Sequence, residues 1–203
     1  MSSYLDKAYD LQNAKATRDF YDDWAASYNA EIAENGYATP TRCAAALAAV
    51  VDLSAAVLDI GCGTGLSGLA LRVAGFTTID GTDLSPEMLA RAAERDGVYR
   101  HLFLGDANTP LPVEPGAYAA ATAVGVINPG HAPPETIDAV LAILPPGGCF
   151  AFSLNEHAFA EPPFPAKVEA VLAAGTANCL HRAHGPHLPG IGLEATVYVV
   201  QKS

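Results

Sequence analysis

The chain has 203 residues, half of them hydrophobic, with 11 Lys plus Arg against 22 Asp plus Glu and a formal charge of −11. That length holds one domain with a sizeable core, and the composition excludes a disordered or low-complexity chain. A negative field disfavours polyanions, because nucleic-acid binding draws affinity from phosphate neutralisation; a small-molecule partner is expected rather than tRNA, rRNA or DNA. No apolar run approaches the ~20 residues that span a bilayer. Met1-Ser2-Ser3-Tyr4-Leu5-Asp6 lacks the basic and apolar regions of a signal peptide. The expectation is a cytoplasmic protein with no membrane partner.

Residues 1–37 are helical in pattern and are read as a cap. Phe20, Trp24 and Tyr28 recur every four residues, with Tyr21 and Ala25 beside them, and make one apolar face. That stripe packs the helix on the domain, and Tyr21, Trp24 or Tyr28 is also placed to roof a pocket, since an aromatic face attracts a sulfonium as it does an ammonium. Residues 38–203 are the main domain. Thr39-Pro40-Thr41 is a helix start, followed by Cys43, Leu47, Val50 and Val51 on the buried face.

The informative stretch is Val57-Leu58-Asp59-Ile60-Gly61-Cys62-Gly63-Thr64-Gly65-Leu66. It reads as a buried strand breaking into a glycine loop that opens a helix. The loop glycines remove side chains where a backbone turns tightly and approaches a ligand. Asp59 repels a pyrophosphate and attracts a cation, so Asp-x-Gly-x-Gly-x-Gly points to a cationic cofactor. Gly63-Thr64-Gly65-Leu66-Ser67-Gly68 also fits the dinucleotide fingerprint, with Asp83 20 residues beyond Gly63. A NAD(P)-dependent oxidoreductase is therefore the alternative, although Asp59 and Gly61 interrupt the strand before Gly63.

Residues 76–83 read as the second strand. It ends at Asp83, where a carboxylate can accept from two ribose hydroxyls. Ser85 is a good N-cap, and Pro86 suits the first helical position. Residues 99–104 form a third strand ending in Gly105-Asp106-Ala107, where Asp106 can take an adenine amino group. Residues 117–126 make a fourth strand, followed by Ile127-Asn128-Pro129-Gly130-His131, where the sheet order of such folds reverses and ligands sit. A helix over 132–144, a strand over 149–154, a helix over 165–175 and strands at 179–181 and 194–201 complete the pattern. Gly185 to Gly190 is read as a loop joining the last two strands. The expected fold is a Rossmann-like, doubly wound α/β sheet of about seven strands, mostly parallel, with one antiparallel strand near the C-terminus.

Together these residues resemble the class I S-adenosylmethionine-dependent methyltransferases over about 20–202. More narrowly, Tyr21-Asp22-Asp23-Trp24-Ala25, Gly36-Tyr37, Asp80-Gly81-Thr82-Asp83, Gly97-Val98-Tyr99-Arg100 and Val124-Gly125-Val126 with Gly130-His131 resemble the Williams–Beuren syndrome region methyltransferase-like proteins and bacterial relatives. Many of these relatives have Thr-His-Gly-His where this chain has Asn128-Pro129-Gly130-His131. The resemblance implies S-adenosylmethionine as cofactor and S-adenosylhomocysteine as product. It implies a cofactor site of Tyr21, Tyr28, Asp59, Gly61, Gly63, Asp83, Leu84, Met88, Asp106, Ala107 and Val124. It implies an acceptor site of Trp24, Asn128, His131 and His157.

The reaction would be an in-line displacement of methyl onto a small molecule, much of it achieved by placement. A hydroxyl or ammonium acceptor needs a base, and His131 and His157 are the candidates. Asn128-Pro129 is similar to the start of the Asn-Pro-Pro-aromatic motif of amino-methylating enzymes, but Gly130 and His131 replace its last two residues. A cofactor-binding protein without turnover is a further alternative. Cys43, Cys62, Cys149 and Cys179 show no zinc spacing and read as buried thiols, and His181, His184 and His187 share no face, so no metal is expected.

Overall fold

A computed structural model describes residues 14–25, 27–105, 111 and 113–203. The expectations for Asp106 and Ala107, and for residues 1–13 of the cap, lie outside the described residues.

Two short helices, α1 (Ala14–Trp24) and α2 (Tyr28–Glu34), precede the main domain. Its elements are α3 (Thr39–Ala48), β1 (Ala56–Ile60), α4 (Leu66–Val73), β2 (Thr78–Asp83), α5 (Pro86–Ala93), β3 (His101–Leu104), β4 (Ala120–Ala123), α6 (Thr136–Ile143), β5 (Cys149–Asn155), α7 (Glu156–Ala160), α8 (Pro163–Ala173), β6 (Ala177–Leu188) and β7 (Leu193–Lys202). The seven strands lie in the order β3-β2-β1-β4-β5-β7-β6. β1 to β5 pair in parallel, and β7 runs antiparallel to both β5 and β6. No helix among the described residues is long and apolar enough to cross a membrane.

The sheet is hydrophobic on both faces because helices cover both. Val57, Ile79, Ala120, Ala151 and Val199 pack with Cys43, Leu47 and Leu71 of α3 and α4. Their neighbours Leu58, Ala121, Phe150, Phe152 and Val200 pack with Ile137, Val140 and Leu141 of α6 and with Val168 and Val171 of α8. This is the period-2 alternation of a strand expressed as two cores. Phe150, Phe152 and Tyr198 stack in a row with centroids 4.9 and 5.1 Å apart.

The C-terminal hairpin corrects two expectations. β6 runs through Gly185-Pro186-His187-Leu188, which had been read as loop, and only Pro189–Ile191 turn between the strands. Pro186 is tolerated because β6 is the sheet edge and is bulged there. Arg42 of α3 fastens this segment by donating to the carbonyls of Ala183, Pro186 and Ala195 at 2.8–3.0 Å. Of the four free cysteines Cys43, Cys62 and Cys149 are buried, but Cys179 is exposed on the edge strand.

Candidate functional site

The carboxyl ends of β2, β1 and β4 lie side by side, and the loops leaving them build the site. Beyond β1 the chain turns at Gly61 (φ +62°) and Gly63 (φ +53°), conformations that cost an L side chain about 1–2 kcal/mol. The two glycines differ in surroundings. A Cβ on Gly61 would stand 2.4 Å from Val126 Cγ2, whereas one on Gly63 would meet nothing within 4 Å. Gly61 makes room for the neighbouring loop, and Gly63 leaves its backbone open to a ligand.

Asp83, at the end of β2, pins this loop in place. Its Oδ2 accepts from the Gly63 N–H at 2.8 Å and its Oδ1 from the Ser85 N–H at 3.0 Å. Burial pushes the Asp83 carboxyl above the usual range, and the backbone donors pull it back toward ionisation. Ser85 caps α5 as read from the sequence, accepting from the Met88 N–H at 3.0 Å. Met88 is buried against the core side of α5, with Leu84 half-buried before it.

Asp59 stands on β1, behind the glycine loop. It is fully buried beneath the loop and receives three hydroxyls: Thr122 at 2.8 Å on Oδ1, and Ser67 at 2.6 Å and Tyr99 at 2.7 Å on Oδ2. Oδ2 takes two donors and Oδ1 one, and the carboxylate has no exposed surface. Its part is to hold β1, β4 and α4 together and to place negative charge below the loop.

The capping helices are tied to each strand-end loop. Thr17 donates to the Gly130 carbonyl at 2.9 Å after β4, and Thr64 of the glycine loop donates to Asn29 at 2.6 Å. Ser85 after β2 donates to Asp22. Beneath this cap lies a cleft of about 40 Å³. It is lined by Tyr21, Trp24 and Tyr28 of the first two helices, by Gly125, Asn128 and His131 after β4, and by Tyr37, Asn155 and His187. Tyr21 and Trp24 stack at 5.7 Å, and Trp24 meets Tyr28 edge-on at 4.7 Å.

His131 accepts the Tyr21 hydroxyl on Nε2. The tautomer follows from the other nitrogen: Nδ1 lies 3.1 Å from the Pro129 carbonyl, which can only accept. Nδ1 therefore carries the proton and Nε2 the lone pair. Desolvation pushes His131 below its ordinary value, so it stays neutral near pH 7. Asn128 is buried, and its Oδ1 has no hydrogen-bond partner among the described residues.

His157 is exposed on α7, close enough to the cleft residue His187 for its charge to act on it, and is not itself among the lining residues. Val124 contributes its carbonyl, 3.5 Å from the Tyr37 hydroxyl. Three cleft residues with polar side chains were missed. Asn155, which N-caps α7 by accepting from the Ala158 N–H, stands at the strand end itself, and strand-end position was the signal that could have chosen it over His157. Tyr37 and His187 come together through Thr39, whose hydroxyl meets His187 Nδ1 at 2.8 Å, a pairing across 148 positions with no local trace. Of the other histidines, His184 meets Glu194 and Thr196 on the hairpin, and no metal-holding group of side chains occurs among the described residues.

A parallel sheet with this strand order, a glycine loop after β1 and an acid after β2 is the architecture of the class I S-adenosylmethionine-dependent methyltransferases, and S-adenosylmethionine is the cofactor that this likeness implies. Residues 57–148 match the family described as a methyltransferase domain. The chain is 36% identical over 133 residues to human methyltransferase-like protein 27, covering 64% of this chain and 54% of that protein. It is 41% identical over 71 residues to the bovine 18S rRNA (guanine-N(7))-methyltransferase, covering 35% and 25%. It thus spans about half the length of the human relative. A TehB-like S-adenosylmethionine-dependent methyltransferase from Corynebacterium glutamicum shares the fold with a TM-score of 0.64 at 18% identity, over 90% of this chain and 98% of the other.

Proposed function

We propose that the protein transfers the methyl group of S-adenosylmethionine to a small, uncharged molecule. The observation that carries this reading is the Asp83–Gly63 contact: an ionisable carboxylate holds an open glycine turn at the point where β2 and β1 end. The residues fit the cofactor. Asp83 is positioned for the ribose hydroxyls, Gly63 for close backbone approach, and the charge of Asp59 and Asp83 for a sulfonium and an ammonium. The bound cofactor supplies a methyl on a positively charged sulfur. The chain supplies the seat, the cap that excludes water, and His131 as a neutral base.

Two alternatives are weaker. A dinucleotide at the Gly63–Gly68 fingerprint would want the helix-start amides, but the Gly68 N–H is taken by the Tyr99 hydroxyl at 3.1 Å. The rRNA substrate in the bovine relative's name is a second possibility, but a formal charge of −11 opposes a polyphosphate partner. The test is calorimetric titration with S-adenosylhomocysteine on the wild type and Asp83→Ala, with NADH as control. Loss of a charged contact to the ribose costs about 1.5–3 kcal/mol, roughly ten- to a hundredfold in affinity. Binding of NADH alone would overturn the reading.

A further inference from the structure

We propose that His131 Nε2 is the seat of the acceptor's hydroxyl and that the Tyr21 phenol is an internal placeholder for it, so that the acceptor is a flat hydroxylated molecule of the phenol type with no anionic group. The inference rests on the methyltransferase reading and names the substrate class of the same site.

Three observations meet at this point. The first is the contact itself: the one lone pair of the His131 ring is occupied by a phenolic O–H that belongs to the cap rather than to the domain. The second is the lining. Among the described residues the cleft has no Lys and no Arg, so an anionic group brought there would lose its water without meeting a cationic side chain among them. Its walls are instead aromatic faces and edges, the surroundings in which a flat ring packs best. The third is Asn128 Oδ1, a buried acceptor with no partner among the described residues, on a side chain that lines the same cleft. It is satisfied when the occupant brings a second N–H or O–H.

The cleft as it stands, about 40 Å³, has room for water but not for a ring. An acceptor therefore enters only as the Tyr21 ring gives way, and its hydroxyl takes over the hydrogen bond that Tyr21 leaves. The acceptor's proton then passes to Nε2, its oxygen keeps the electron pair, and the imidazole, now protonated on both nitrogens, carries the charge. Tyr21 itself is not consumed in this step. Its return with α1 re-covers His131.

The probe is 4-nitrophenol, whose ionised form is read by its visible absorbance, added at fixed pH to the full chain saturated with S-adenosylhomocysteine. Calorimetry with S-adenosylhomocysteine comes first on the wild type and each variant. Failure of the wild type to bind it defeats the methyltransferase reading, and retained binding shows that a variant is folded. The expected result is that bound 4-nitrophenol is more ionised than free 4-nitrophenol, and that His131→Gln abolishes the difference. Tyr21→Phe, with Tyr21→Leu as a second variant, should bind the probe several-fold more tightly with the ionised signal kept. 4-Hydroxybenzoate, which adds a carboxylate, should bind at least tenfold more weakly. The proposal is overturned if the loaded protein binds no 4-nitrophenol, if His131→Gln leaves the signal unchanged, if Tyr21→Phe loses it, or if 4-hydroxybenzoate binds as well.

Discussion

The Tyr99 hydroxyl stands between two partners of opposite kind, donating to Asp59 Oδ2 at 2.7 Å and accepting from the Gly68 N–H at 3.1 Å. One phenol thus ties the end of β1 to the first turn of α4. Tyr99→Phe removes a donor from a buried carboxylate, and the expected loss is about 1–3 kcal/mol in urea unfolding at pH 7. Burial already raises the Asp59 carboxyl, and losing a hydroxyl raises it further. A raised folded value means stability that is complete below the unfolded value and is lost as pH climbs through the folded one. The deficit of the variant should therefore shrink on acidification, and a deficit that grows would contradict the assignment.

Gly61 and Gly63 should fail in different ways. Gly61→Ala meets Val126 as well as an unfavourable φ, and the fold should lose more than the ~1–2 kcal/mol of the backbone term alone. Gly63→Ala meets only the backbone term, so its thermal unfolding should move little while affinity for S-adenosylhomocysteine falls tenfold or more. Calorimetry beside a melting curve separates the two.

His187 makes the hairpin sensitive to acid. Burial, and then the Arg42 charge, lower it from an ordinary 6.5 to about 4. A depressed folded value gives stability that is present above the unfolded value and lost as pH falls toward the folded one. The window is therefore pH 6.5 down to 4, and the loss is about 3 kcal/mol at 1.36 kcal/mol per pH unit. His187→Gln should flatten unfolding free energy across that window relative to the wild type. Parallel curves for the two proteins would show that His187 does not titrate there.

The cap should loosen when its ties are cut. Asp22→Ala removes the acceptor of the Ser85 hydroxyl but leaves the capping contact from Ser85 to the Met88 N–H. Hydrogen exchange should speed up several-fold across Ala14–Trp24 while the amides of β4 and β5 keep their protection. Equal acceleration in β4 and β5 would mean that Asp22 supports the whole domain.

Much of this was legible along the chain because the signals are local. The run from Val57 to Gly65 marks a buried strand and its glycine turn by burial periodicity and by φ, both properties of neighbouring residues. Ser85-Pro86 marks a helix start by a hydrogen bond three residues long. The burial of Asp59 under three hydroxyls was not legible because its surroundings come from Ser67, Thr122 and Tyr99, 8, 63 and 40 positions away. Asn155 had no chemical signal beside His157, because a histidine advertises chemistry, whereas lining the cleft depends on which side of the last strand turn a residue occupies. Gly185 to Leu188 looked like loop because its Pro and Gly are tolerated only at a bulged edge, and edges are assigned by the sheet.

The sequence by itself determined the two-sided sheet, the glycine turn and the acid that follows β2, since strand period, turn conformation and capping are set within a few residues. Tertiary structure alone decided that Tyr21 meets His131 across 110 positions, that Thr39 meets His187 across 148, and that Asp59 is enclosed by hydroxyls. Those contacts have no periodicity to betray them. They exist because parallel strands bring their carboxyl ends to one edge and the cap folds back over it, which places distant polar groups where water is excluded and each must find a partner.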